Sequence, residues 1–212
     1  QDIHAHCREM LAAAEAAELA AAATHAEPCG LVRVACPIAL LHAQVGEMLN
    51  GFMAKYPLVR LEIQAMNRPV DVVAEGIDLA LRVRPSPLED SELAVRIFGE
   101  SPQCLVAAPS LLSEAKRPQT PEELADWPCL AKGAVRVRDR WILHGPGGQR
   151  VEQAFSPRLA TGDMLSLRRA AEVGLGIVQL PAQLVARQID NGSLIEALPG
   201  WAPAPEVLHG VF

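Results

Sequence analysis

The residues best suited to chemistry stand where a strand gives way to a helix. Two such junctions read Cys36-Pro37-Ile38-Ala39 and Thr161-Gly162-Asp163-Met164. The first N–H groups of a helix lack partners within it and carry partial positive charge, so either junction could hold a small anion. Pro37 has no N–H, which leaves Ile38 and Ala39 as donors. Both junctions could equally be plain capped helix starts. Arg82, followed by Val83 at the end of an apolar run, could clamp an acidic group through its planar guanidinium, with Arg84 two residues on. A neighbouring Asp or Glu would satisfy either arginine as well. Arg68 precedes a short predicted helix, and Asp71 or Asp78 is its expected partner.

Cys36 carries two readings. A thiol at a helix N-terminus has a lowered pKa and could sense oxidants or electrophiles. Cysteine is also among the most frequently buried residues, and space-filling is the preferred reading. Cys104 and Cys129 fall in predicted strands and read as core. As a hydrolase nucleophile, Cys36 would need His42, His144 or His209, but no nucleophile elbow accompanies it. His4, His6 and Cys7 are close together, yet on a helix His6 points away from the other two, so a solvated helix surface is preferred to a metal site. Gly174-Leu175-Gly176 lies between a helix and a strand, the reverse of a dinucleotide loop, and reads as a helix stop. With no paired carboxylates either, the sequence points to a non-enzyme with no metal and no cofactor.

The totals bound the answer. Among 212 residues half are apolar, only 4% are aromatic, and the formal charge is -6. That length holds one large domain or two small lobes. The negative charge argues against this chain itself gripping nucleic acid, which needs clustered Lys and Arg. Five scattered cysteines without a CxxC pair fit a reduced, cytoplasmic setting. The Ala-rich start is interrupted by Glu9, Glu15 and Glu18, unlike a signal peptide, and no apolar run is long enough to span a membrane.

The elements that must position these residues follow from periodicity. Ile3, Cys7, Met10, Ala14, Ala17 and Ala21 alternate at spacings of four and three, the seam of a two-helix contact. An ordinary amphipathic helix lying on the body is the alternative. Pro28 ends it. Strands are predicted over 31–35, 58–64 and 77–83, with helices over 41–56 and 70–75 between them. This β-α-β-α-β order demands right-handed crossovers and a parallel sheet covered by helices. A second series predicts strands over 101–107, 128–131, 157–161, 176–180 and 207–212. Helices are predicted over 109–115, 121–126, 163–173 and 181–190, the last ended by Asn191-Gly192 as a left-handed cap. A hairpin is predicted over 140–153 around Gly145-Pro146-Gly147. Two α/β lobes are indicated, with a crevice where strand ends meet helix starts.

An ordered series of motifs then supplies a family resemblance. It opens with Gly30-Leu31-Val32-Arg33-Val34-Ala35-Cys36-Pro37 and continues through Phe52-x-x-x-Tyr56-Pro57-x-Val59 and the run from Asn67-Arg68-Pro69 to Gly76-Ile77-Asp78-Leu79-Ala80-Leu81-Arg82. Val106-Ala107-Ala108-Pro109, Pro118-x-Thr120-Pro121, Gly174-x-Gly176-Ile177-x-x-Leu180-Pro181 and Leu198-Pro199-x-Trp201 complete it. The chain resembles the effector-binding domain of LysR-type transcription regulators from about residue 30 to its end. The resemblance implies two Rossmann-like lobes of the type 2 periplasmic-binding-protein-like fold, joined by two crossover strands. Lobe 1 would hold 30–101 plus 207–212, lobe 2 would hold 102–206, and residues 1–27 would be a linker and dimerisation helix. It places Cys36, Pro37, Ile38 and Ala39 on one wall of a cleft and Thr161, Gly162, Asp163 and Met164 on the other. Many family members carry hydroxyl residues at the first wall, and their absence here points to a more apolar ligand. The implied function is allosteric: an anionic or aromatic small molecule binds between the lobes of a dimer or tetramer. The change would reach promoter DNA through a winged helix-turn-helix absent from this sequence, and the family usually continues past this C-terminus. A transport receptor of the same architecture is the alternative.

Overall fold

The computed structural model describes His6, Met10 and residues 27–88, 93–112, 117–134 and 138–212. Apart from His6 and Met10, both helical, the expected linker helix and the whole of the His4, His6 and Cys7 cluster question lie outside the described residues.

The first sheet begins with β1 (Gly30–Cys36), whose side chains become buried toward its C-terminal end. Pro37 then fixes the turn into a helix built of Ile38–Leu40, a π-helical segment Leu41–Val45, and Gly46–Lys55, together α1. A Cβ at Gly46 would lie 2.9 Å from the Leu41 carbonyl oxygen, so the wide turn needs a glycine there. After β2 (Val59–Ala65) the chain makes a turn-rich loop and returns as β3 (Leu79–Pro85). β4 (Val95–Ser101) follows at the sheet edge. The strand order is β2-β1-β3-β13-β4, where β13 is the last strand, Glu206–Val211. β1 is parallel to β2 and β3, while β13 runs antiparallel between β3 and β4.

The chain crosses to a second sheet at Pro102. It contains β5 (Gln103–Ala107), β6 (Cys129–Lys132), β9 (Pro157–Thr161), β10 (Ile177–Pro181) and the short β11 (Ile195–Glu196), in the order β11-β5-β10-β6-β9. A hairpin of β7 (Asp139–His144) and β8 (Arg150–Phe155), extended by β12 (Ala202–Pro203), forms a third, smaller sheet. Helices α2 (Met164–Glu172) and α3 (Ala182–Asp190) cover the second sheet. Asp163 caps α2, its carboxylate accepting from the Leu165 N–H at 3.0 Å. Gly192, at φ 75°, closes α3 as the sequence predicts.

Packing is heavier around the second sheet. Leu105, Leu124, Trp141, Leu143, Phe155 and Ile177 are buried in one cluster, with the Trp141 and Phe155 rings stacked at 4.0 Å. A second cluster gathers Val106, Leu130, Leu167, Leu180, Leu184 and Val185, and Ala39 of α1 joins it from the other side of the molecule. The first sheet's cluster is smaller: Ala35, Val70, Val72, Ile77 and Ala80.

Several expectations are corrected. Residues 72–76 form turns, not a helix: the helical bond from Glu75 N to Asp71 O is not continued, because Gly76 at φ 64° turns the chain and the Ile77 N–H reaches back to the Val72 carbonyl, while the Asp71 carboxylate takes the Ala74 N–H. The region expected as a helix over 109–115 is a turn at 109–111, with 113–116 outside the described residues, and 122–126 is a 3-10 turn. β4, β11 and β12 have no counterpart in the predicted elements. The first sheet is mixed and not wholly parallel, since the returning β13 enters its interior antiparallel.

Candidate functional site

A cavity of about 300 Å³ opens between the two large sheets. Its first wall comes from the end of β1, the start of α1 and the loop after β2. Cys36, Pro37, Ala39 and Leu40 line it, with Met66 and Asn67 beside them. Arg82, Val83 and Arg84 of β3 continue that wall. The opposite wall carries Lys132, Gly162 and Met164, and Gln183 and Leu184 of α3. Ser101 and Glu206, next to the two points where the chain changes sheets, form its floor.

Of the residues expected at a site, Cys36, Pro37, Ala39, Arg82, Val83, Gly162 and Met164 line this one cavity. Ile38, Thr161 and Asp163 do not. The Ile38 N–H is already engaged by the Asn67 side-chain oxygen at 3.3 Å. Thr161 accepts through Oγ1 from the Asp163 N–H at 3.2 Å. Asp163 takes the Leu165 N–H and the Ser166 hydroxyl, the latter at 2.6 Å. The Ser166 hydroxyl, with the helix-start N–H groups and Arg169, holds the Asp163 carboxyl below the usual range. A fixed carboxylate therefore occupies the start of α2, and both helix starts already hold acceptors of the protein's own.

Asn67 is the residue the sequence reading missed. Its Nδ2 donates to the Gly162 carbonyl at 3.2 Å while its Oδ1 accepts from Ile38, so one amide ties the first wall to the second. The loop that carries it is stiffened by Arg68, whose guanidinium pairs with both Glu75 oxygens at 2.8 and 2.5 Å. Glu75, not Asp71 or Asp78, is thus the partner. Asp78 is used elsewhere, accepting from the Arg33 N–H at 2.7 Å. The Arg68 hydrogen bond holds the Glu75 carboxyl down at about 2.

Arg82 donates through Nη2 to the Val70 carbonyl at 3.0 Å. Among the described residues it has no carboxylate at ion-pairing distance, and its guanidinium remains open toward the cavity. Cys36 is 1% exposed, and burial pushes its thiol up to about 12. Burial acts likewise on Cys129, to about 12, and on Cys104, to about 11. The space-filling reading holds for Cys36, because loss of water outweighs the pull of the nearby helix start. His209 is buried in β13, its ring against the Val207 carbonyl, and it is not among the residues lining the cavity.

Two mixed sheets with a cleft at their junction are the two-lobe architecture of the periplasmic-binding-protein-like class. The chain belongs to the LysR substrate binding domain family, whose profile matches residues 25–209. It is 30% identical over 168 residues to an uncharacterized HTH-type transcriptional regulator of Haemophilus influenzae, a match covering 77% of this chain and 56% of that protein. To the HTH-type transcriptional activator AaeR of Escherichia coli it is 26% identical over 206 residues, 97% of this chain and 66% of that one. Among solved structures it is similar to the full-length virulence activator AphB of Vibrio cholerae, with a TM-score of 0.78 and 26% identity over 100% of this chain and 71% of that one. CrgA of Neisseria meningitidis, a LysR-type transcriptional regulator, gives 0.75 at 26% identity over 98% and 69%. The chain spans roughly half to two thirds of the length of the curated relatives it matches. It is a regulatory, effector-sensing domain of the LysR type, and its named relatives are transcription regulators, not enzymes.

Proposed function

We propose that this domain binds a small anionic effector with a largely apolar body between its lobes and reports the resulting change in lobe angle to a DNA-binding domain elsewhere in the protein. The lobes are residues 30–101 with 207–212, and 102–206. The observation that carries the reading is that one cavity takes its walls from both sheets and its floor from the crossover points. A ligand filling such a cavity contacts both lobes at once, so it favours one lobe arrangement over another, which is the thermodynamic requirement for a switch. Arg82 holds the anion. Ala39, Leu40, Met164 and Leu184 accept the apolar body.

The domain acts by binding, not by catalysis, in the cytoplasm and as a homo-oligomer. α1 supports the last point: no residue of Gly46–Lys55 is buried, and Met48, Phe52 and Met53 are exposed along it. The test is small-angle scattering of the chain with and without a bound carboxylate. A ligand-dependent change in radius of gyration or oligomer shape is expected; saturable binding with an unchanged scattering curve would sink the switching role.

A further inference from the structure

The chemistry of the cavity lining divides it into two ends. At one end α1 meets the second lobe: Ala39 and Leu184 belong to one apolar cluster, with Ala43 and Met164 packed against it. Cations stand at the other. Arg82 and Arg84 are two residues apart on β3, so their side chains leave the sheet on the same face, and both line the cavity. Lys132, the last residue of β6, lines it from the second lobe. A chain of contacts brings the two sides together. Lys132 pairs with Thr161 in the sheet, the next carbonyl, that of Gly162, takes the Asn67 amide at 3.2 Å, and Val70, on the same loop as Asn67, takes Arg82 at 3.0 Å. Among the described residues none of these three cations has a carboxylate within 4 Å, whereas Arg68, which also lines the cavity, is paired with Glu75. Glu206 does not neutralise the arginines: it stands opposite Pro85 in the β3–β13 register, so its side chain leaves the sheet on the other face. A cation stripped of water by a ligand opposes binding unless an anionic group reaches it. One carboxylate on Arg82 leaves Lys132 across the cleft without an anion. A second supplies it.

We infer that the effector is a dicarboxylate carried on one apolar body. One carboxylate sits on Arg82 and Arg84 of the first lobe and the other on Lys132 of the second. The body lies along Ala39, Met164 and Leu184. This rests on the binding site proposed above and narrows its ligand class. Spacing alone pairs Arg84 with Arg82, while Lys132 ends a short strand and is marked only by the fold.

The test compares 3-phenylpropanoate, 2-benzylbutanoate and benzylsuccinate. The last two are nearly equal in size and differ in whether the added branch ends in a methyl group or a carboxylate. Calorimetry on the whole 212-residue chain is expected to show benzylsuccinate binding roughly tenfold more tightly than either monoacid. Lys132→Met is expected to remove that advantage while leaving 3-phenylpropanoate binding unchanged. Arg60→Gln, which removes the same charge from β2 outside the cavity lining, is expected to keep it. The wild-type comparison stands even where a variant misfolds. Equal binding of benzylsuccinate and 2-benzylbutanoate, an advantage that survives Lys132→Met or is lost equally in Arg60→Gln, or no binding of any probe at millimolar concentration overturns the inference. Preference for the monoacids with a scattering change would overturn it while leaving the sensing role intact. Tighter benzylsuccinate binding with no scattering change would do the reverse.

Discussion

The Nδ2 of Asn67 reaches the carbonyl of Gly162 at 3.2 Å, joining residues 95 positions apart on opposite walls of the cleft. The same amide's oxygen takes the Ile38 N–H, so Asn67 occupies the donor that an anion would otherwise seek at the start of α1. A ligand binding there must displace it, and displacement also removes the tie to the second lobe. Asn67→Ala is expected to loosen the cleft. Each of its two bonds contributes about 0.5–1.5 kcal/mol at most, being exposed, so the fold survives while the lobe angle spreads. Asn67→Asp keeps the acceptor for Ile38 but sets a carboxylate against the Gly162 carbonyl. Scattering should show wider openings for both variants, more for Asp; profiles identical to wild type would mean the bridge carries no closure energy.

Arg82→Ala is expected to leave melting almost unchanged, because the guanidinium gives up a single bond to the Val70 carbonyl. Affinity for a carboxylate probe such as 3-phenylpropanoate should fall roughly tenfold, about 1.4 kcal/mol, as a charge-assisted contact is lost. Unchanged affinity by calorimetry would remove Arg82 from the site.

The thiols of Cys36 and Cys129, raised to about 12, are expected to resist alkylation of the native protein at pH 8. Each is held protonated by burial. The stability this contributes is intact below the unfolded value of 9.0 and is lost as pH rises from there toward the folded value. Mass spectrometry after iodoacetamide treatment provides the check. Rapid labelling of Cys36 in folded protein would restore a redox or electrophile-sensing role.

The exposed side of α1 gives an oligomerisation test. Met48→Glu with Phe52→Glu is expected to shift the chain toward monomer in multi-angle light scattering, without lowering the melting temperature. The two side chains are 62% and 39% exposed, so little packing is lost. Removing residues 1–26 is expected to weaken association further. A double variant that keeps its wild-type mass would place the interface elsewhere.

The alternating lobes were readable because their strands and helices are short, periodic and punctuated by Pro and Gly. β1, α1, β5, β10 and α3 follow from local pattern alone. β4 did not, because Val95, Ile97 and Phe98 face solvent at an edge, beside the charged Arg96 and Glu100, and burial leaves no clear alternation. Helix rules suggested 70–75, yet the Arg68–Glu75 pair and the Asp71 bonds wind that stretch into turns. The cleft was legible in outline through Cys36, Arg82 and Gly162. Asn67 was not, since nothing in its neighbourhood announces a carbonyl from the far lobe. The fate of Cys36 was likewise undecidable from spacing, because it depends on how much water three-dimensional packing removes.

The position of β13 has a consequence for biosynthesis. Residues 206–211 slot between β3 and β4 in the interior of the first sheet. As the ribosome releases the chain, residues 103–203, with their own strands and larger core, can mature as soon as they emerge. The first sheet must wait for residues 206–211 before its two halves zip together. The first sheet is thus completed after the second, and during that interval its unpaired strand edges are exposed to wrong pairing.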